Sequence, residues 1–330
     1  MNTLPGFEPV SLSGRRLFLT GGTGFVGKCL LDYFRWVAER HGADFELCVL
    51  SRDPQGFVER HTQYAGLPWL TLIAGDLQQL PTLAVDFTDV IHAAADTHNV
   101  ASGVAWIEQI VGGTQRILDF AVAHRCQRFL LMSSGAVYGP QPAHLTHLPE
   151  DYSGAPPTTS PASVYGQAKR LAEQLCTQYC HEHGLHTVSA RCFSLVSEHV
   201  PLAGPYAIGN FIGDALAGGP LRIKGDGNTL RAYLYGLDMA HWVVTLLLHG
   251  EAGQAYNVGS DVAISIRQLA ELVAATLAPE ARIESASVAG QRSVYVPDIA
   301  RCRQLGLEIT TPLQEAIQRS ADWIRAQAAR

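Results

Sequence analysis

Short apolar runs alternate with longer stretches of helical period through roughly the first 190 residues. "RLFLT" (16–20), "FELCVL" (45–50), "LTLIAGD" (70–76), "DVIHAAA" (89–95), "RFLLMSS" (128–134) and "TVSARCF" (187–193) read as strands. Runs that are apolar on both faces suit a parallel sheet covered by helices. The gaps hold helical stretches, from about Phe25 to Arg40, at 106–124 and at 163–175. Strand–helix–strand order repeated in this way predicts a doubly wound α/β sheet. After about residue 195 the pattern loosens, and glycines and prolines cluster in "PLAGPYAIGN" and "AGGPLRIKGDGNTLRAY". A smaller, loop-rich lobe is expected over 191–330, closed by helices at 265–277 and 313–327, after a first domain over 1–190. Some of the later segments are expected to return to the first domain.

Composition narrows the class. The 330 residues are 47% hydrophobic and 16% charged, enough to bury a sizeable core. A formal net charge of −6 argues against nucleic-acid binding by broad phosphate neutralisation, while leaving room for a local basic pocket. No apolar run is long enough to cross a bilayer, and the N-terminus lacks a signal-peptide pattern, so a cytoplasmic protein is expected. Seven scattered cysteines read as free thiols, and Cys176 with Cys180, one turn apart, lacks a second ligand pair for a metal. "HEHGLH" (181–186) reads as a helix end at Gly184.

"LFLTGGTGFVGKCLL" sets Gly21, Gly24 and Gly27 three residues apart between the first strand and the first helix. Such a turn lets the backbone approach a pyrophosphate at a helix N-terminus. Thr23, Phe25 and Val26 lie within the same cofactor-binding turn. The second strand ends "VLSRDP": Ser51 stands where an acid would hold the adenosine ribose, and Arg52 can pair with a 2′-phosphate. This favours NADP, and Asp53 keeps NAD open. Asp76, followed by Leu77, is placed for the adenine end, and Ala93, Ala94 and Ala95 leave room for the cofactor over the sheet edge. Thr97 lies near the expected cleft.

In "SVYGQAKRLAEQL" Tyr165 and Lys169 are four residues apart and share one helix face. A phenol beside an ammonium and a nicotinium charge is a candidate acid/base. Ser133 and Ser134, at the end of the fifth strand, can position the substrate oxygen.

Together "TGGTGFVG", "HAAA", "SSGAVYG" and "YGQAK" resemble the extended short-chain dehydrogenase/reductases of the nucleotide-sugar epimerase/dehydratase type, over nearly the whole chain. The resemblance implies Ser134, Tyr165 and Lys169 as catalytic residues, a nucleotide-sugar substrate and a homodimer. It further implies substrate contacts at Ser194, in place of a usual Asn, and at Arg231 and Arg292 on the diphosphate. Two departures stand out. Gly135 and Ala136 occupy the positions of the dehydratases' Asp-Glu pair, and the Glu that related decarboxylases keep near this point is missing. Ile110 stands where many relatives carry Asn. The reading is an NAD(P)-dependent epimerase or 4-ketoreductase acting at C4 of an NDP-hexose. A 4,6-dehydratase and a non-catalytic dinucleotide sensor are the alternatives.

Overall fold

The computed structural model describes residues 7–95, 102–286 and 293–328. β1 (Arg15–Thr20), β2 (Phe45–Ser51), β3 (Leu70–Ala74), β4 (Asp89–His92), β5 (Arg128–Ser134), β6 (His186–Cys192) and the edge strand Ala255–Val258 form one parallel sheet. The spatial order is edge strand–β6–β5–β4–β1–β2–β3. The chain reverses direction across the sheet between β1 and β4, which opens a crevice at the carboxyl ends of those strands.

Alternation along the strands divides the core. Leu17, Leu19 and Val49 face the first helix, Phe25–His41, and the helix Gly236–His249, through Leu30, Phe34 and Trp242. Phe18, Val90, Phe129 and Leu131 face the other layer, with Ile117 and Leu118 of Gly113–Ala123 and Ala168 and Ala172 of Val164–His183. Each fully buried Leu or Phe contributes about 2–3 kcal/mol. A third core, with Phe211, Ile212, Leu269, Val273 and Ile317, joins the helices Ala207–Leu216, Ile266–Leu277 and Leu313–Ala328. It carries a small sheet in which Leu230–Arg231 lies between Ile264–Ser265 and Val294–Tyr295.

Two elements differ from the sequence expectation. The helix Gly236–His249 is buried on nearly every side, so its sequence shows no amphipathic period. The edge strand that follows it is a later segment that lies in the first sheet. The stretch read as one helix over 106–124 is instead Gly103–Ile107, a π-helical turn Glu108–Gly112, and Gly113–Ala123.

Candidate active site

A cleft of about 1380 Å³ runs over the carboxyl ends of the strands, between the sheet and the C-terminal lobe. Its cofactor end is built largely from backbone. Gly21 adopts φ +73°, and a Cβ there would lie 2.6 Å from the Ala93 carbonyl, so the turn seats directly against the end of β4. A Cβ on Gly27 would lie 2.1 Å from the Gly21 oxygen. Gly24 caps the first helix with no side-chain hydrogen bond, leaving its first N–H groups and positive dipole end open to an anion. A buried chain fixes the loop opposite: His92 meets Thr20 (2.7 Å) and Thr114 (3.2 Å), and Thr20 Oγ1 accepts from Ala94 N (3.3 Å). Burial lowers His92 to about 3, so it stays neutral there.

Thr23, Gly24, Phe25, Val26, Ser51, Arg52, Asp76, Leu77, Ala93, Ala94 and Ala95 all line this end. Ser51 is buried and accepts from Asp53 N (3.2 Å). Asp53 caps the helix Pro54–Arg60 through Gly56 N (2.9 Å), so its carboxylate is engaged in that cap. Asp76 Oδ1 accepts the amides of Gln78 and Gln79, both at 2.8 Å, and thereby fixes the turn at the cleft rim.

At the reacting end, Ser134 closes β5 and Tyr165 stands in the first turn of Val164–His183. Arg170 ties that helix to the loop after Ser134 by donating to Val137 O (3.1 Å) and Gly154 O (3.0 Å). Ser134 and Tyr165 line the same part of the cleft, and Trp106 packs against the phenol with ring centroids 5.2 Å apart. Burial pushes Tyr165 up to about 12, against the opposing pull of the Ser134 hydroxyl. Lys169 Nζ donates to Met132 O at 2.7 Å, and burial lowers it to about 8. Tyr165 and Lys169 both line the cleft, with Lys169 anchored to the strand.

The predicted substrate residues scatter. Ser194 and Arg231 line the cleft. Arg231 donates to Leu230 O (2.8 Å), and its guanidinium lies 5.7 Å from the Tyr295 ring centroid. Ser133 lines the wall, but its hydroxyl donates to Glu173 (2.5 Å), which also holds Arg191. That donation turns Ser133 into support for the wall. Thr97 and Arg292 lie outside the described residues.

Several lining residues escaped the sequence reading. Ile110 is buried in the core, whereas Gln109, beside it in the π turn, lines the cleft. Gln109 Oε1 and Trp106 Nε1 are buried in the cleft wall without hydrogen-bond partners among the described residues. A π turn carries an extra residue, which rotates the following face, and no periodicity argument anticipates it. Lys224, Tyr206, Tyr233 and Tyr295 come from the loop-rich lobe and also line the cleft. The clustered glycines of "GDGN" were the signal available for Lys224, and Tyr295 had none. The glycine cradle, the open helix N-terminus and the orphaned polar atoms fit a dinucleotide.

The comparisons agree with this geometry. Residues 17–259 match the NAD dependent epimerase/dehydratase family. The chain is 29% identical over 321 residues to UDP-glucuronic acid decarboxylase 1 of Arabidopsis thaliana, covering 95% of this chain and 71% of that protein. It is 26% identical to the low-salt glycan biosynthesis protein Agl12 of Haloferax volcanii, covering 93% and 97%. Among solved structures, UDP-N-acetylglucosamine 4-epimerase of Methanobrevibacter ruminantium superposes with a TM-score of 0.80 at 21% identity, covering 96% and 100%. A dTDP-glucose 4,6-dehydratase of Streptomyces venezuelae, solved with NAD bound, gives 0.78 at 24%, covering 95% and 98%. The α/β fold with its seven-stranded parallel sheet is shared with these structures, and the chain belongs to the NAD dependent epimerase/dehydratase family.

Proposed function

We propose that this chain oxidises and reduces the C4 position of a nucleotide-linked hexose, as an epimerase or a 4-ketoreductase. The observation that carries this reading is that Ser134, Tyr165 and Lys169 line one end of a cleft whose other end is a glycine-rich dinucleotide cradle. Bound in that cradle, the nicotinamide supplies or accepts hydride and, when oxidised, a positive charge. Gly21, Gly24, Gly27 and the first helix's N–H groups would hold its pyrophosphate.

With its ionisation held near 12, Tyr165 is protonated at neutral pH and is set to donate a proton to a keto oxygen. In the oxidative direction it takes the proton of the C4 hydroxyl, and a cation beside it lowers the cost of the phenolate. Ser134 hydrogen-bonds the same oxygen. Lys169, fixed on Met132 O, would hold the nicotinamide ribose. Arg231 and Lys224 supply positive charge for the diphosphate in a chain of negative net charge.

The dehydratase alternative needs a carboxylate at the sugar. Among the described residues, the carboxylates lining the cleft are Asp76, Glu108 and Asp226. Asp76 fixes its own turn, Glu108 pairs with Arg116 (2.5 Å), and Asp226 accepts from Asn228 (3.0 Å). None of these partners belongs to the Ser134–Tyr165 group.

At the adenosine end we favour NADP, although the matched family is named for NAD. Arg52 lining the cleft, with Asp53 committed to its helix cap, supports this. A homodimer is proposed from Val104, Ile107, Val122 and Leu171, apolar and exposed on the helices at 103–123 and 164–183.

The test is incubation with NDP-hexoses and NDP-4-keto-6-deoxyhexoses, with NADPH or NADH, followed by absorbance and NMR. Interconversion of two hexoses without net cofactor use identifies an epimerase. Stoichiometric reduction of a keto sugar identifies a ketoreductase. Loss of water or carbon dioxide from the sugar overturns the reading.

A further inference from the structure

A buried ion pair lies behind the cleft wall. Glu173 of the helix Val164–His183 meets Arg191 of β6 through Oε2 and Nη2 at 2.7 Å and through Oε1 and Nε at 3.0 Å, with side chains only 13% and 15% exposed. Strand alternation puts Phe129, Leu131 and Ser133 on one face of β5, and Phe129 and Leu131 share a core with Ala168 and Ala172 of that helix. Ser133 is paired directly across from Arg191 in the parallel ladder. Glu173 reaches both, because its Oε1 also accepts the Ser133 hydroxyl at 2.5 Å.

A second branch runs to the far side of Ser134. Arg191 Nη1 donates to the Tyr138 hydroxyl (2.9 Å) and to Glu150 O (3.1 Å), and the guanidinium lies 4.8 Å from the Tyr138 ring centroid. The Tyr138 hydroxyl donates in turn to Asn257 Oδ1 (2.8 Å) on the edge strand. Ser133 immediately precedes Ser134, and Tyr138 ends the 3₁₀ turn Gly135–Tyr138 that follows it. One carboxylate, with the arginine it holds, therefore ties down the chain on both sides of Ser134. Tyr165, Lys169 and Glu173 are spaced four residues apart and form one row along the helix. Lys169 is bonded to Met132 O and Glu173 to the Ser133 hydroxyl, so two successive turns of the helix are fastened to two successive residues of β5. Apolar residues of similar volume would seat the helix at least as firmly, since a buried ion pair recovers little more than its desolvation cost. What the pair supplies is direction: a carboxylate only accepts, and a guanidinium presents its donors in a fixed plane.

We propose that Glu173 is a positioning residue for the reaction: through Ser133 and Arg191 it holds Ser134 and sets the register of Tyr165 and Lys169 against it. This rests on the reading of Ser134, Tyr165 and Lys169 as the reacting group. The test therefore includes a measurement that needs no turnover.

The Trp106 ring beside Tyr165 makes the Tyr165 ring resonances sensitive to small displacements. Eight residues, about 12 Å along the helix, separate Glu173 from Tyr165, so a change confined to the ion pair does not reach that ring. The experiment uses the full chain labelled with ring-¹³C tyrosine, with NAD⁺ or NADP⁺ added, and the Tyr165 resonance is assigned by its absence in Tyr165→Phe. Ser133→Ala changes no charge and keeps both members of the ion pair. Glu173→Gln keeps the shape and loses the paired contact with Arg191. Both are expected to shift the Tyr165 resonance and to lower kcat by about 10- to 100-fold, with KM for the nucleotide sugar within about twofold. Combined, they should cost less than the product of their separate factors, because both break the Ser133–Glu173 bond. Ser133→Ala serves alone if Glu173→Gln does not fold. A Tyr165 resonance unmoved by Ser133→Ala, or a kcat within about twofold of wild type, overturns the assignment and leaves the pair a structural tie that moves Tm alone. A shifted resonance with no turnover of any nucleotide sugar keeps the positioning of Tyr165 and overturns the proposed reaction.

Discussion

The two ends of the cleft are built by different means. At the cofactor end the working groups are backbone: the turn Gly21–Gly27, the open first turn of the first helix, and the Ala93–Ala95 loop. They come from neighbouring stretches and are constrained by hard contacts. At the reacting end the working groups are side chains from segments far apart: Trp106, Ser134, Tyr165, Arg231 and Tyr295. A backbone site is fixed by which residues are small. A side-chain site is fixed by how two lobes pack, and it can change its chemistry by changing one residue. On this comparison, substitutions at the reacting end should cost rate, and substitutions at the cofactor end should cost binding.

The largest effect is expected for Tyr165→Phe. Its kcat should fall by about 100- to 10,000-fold with cofactor affinity unchanged, as read by steady-state kinetics and calorimetric binding. Equal losses in kcat and cofactor affinity would erase the distinction between the two ends. Gly27→Ala should show the opposite profile. Its methyl meets the Gly21 carbonyl, so cofactor Kd should rise by about 30-fold or more, together with a lower Tm.

How much of this was readable before the structure follows the same division. The glycine spacing and the Tyr165–Lys169 register are local patterns, and they lie at a strand–helix turn and on one helix as read, whereas the strands read over 70–76 and 89–95 end sooner, at Ala74 and His92. The long buried helix Gly236–His249 was missed because burial on all sides leaves no period to read. Gln109 was missed because the π turn shifts the face that Ile110 was expected to present. Ser133 was assigned to substrate on adjacency alone, whereas its partner Glu173 lies 40 residues on. Tyr295 joins the cleft only through the packing of the second lobe.

Lys169 sharpens the comparison through pH. Its folded ionisation, lowered to about 8, lies below the ordinary lysine value of 10.5. Below pH 8 both the folded and the unfolded states are protonated, and the folded state carries the full cost of a buried ammonium. Between about pH 8 and 10.5 the unfolded chain binds more protons, so this group's contribution to stability rises with pH. Against Lys169→Met, the wild type should therefore gain on the order of 2–3 kcal/mol across that window in denaturant titrations. A constant difference would mean that Lys169 titrates as an ordinary lysine.

The smallest effect is expected at the cofactor rim. Arg52→Ala should weaken NADP by about tenfold and leave NAD nearly unchanged. Equal effects on both would make Arg52 a general contributor to the cleft's charge.

The central claim is hydride transfer at the sugar C4, and the most direct measurement is the fate of a deuterium placed there. An NDP-hexose carrying ²H at C4 would be incubated with the enzyme and oxidised cofactor, and the products followed by ²H and ¹H NMR. The account predicts that the label passes to the nicotinamide, either returning to C4 of the sugar or remaining on the released reduced cofactor, with C5 and C6 unexchanged. Deuterium that never leaves C4 while product forms would contradict it, and so would solvent hydrogen appearing at C5.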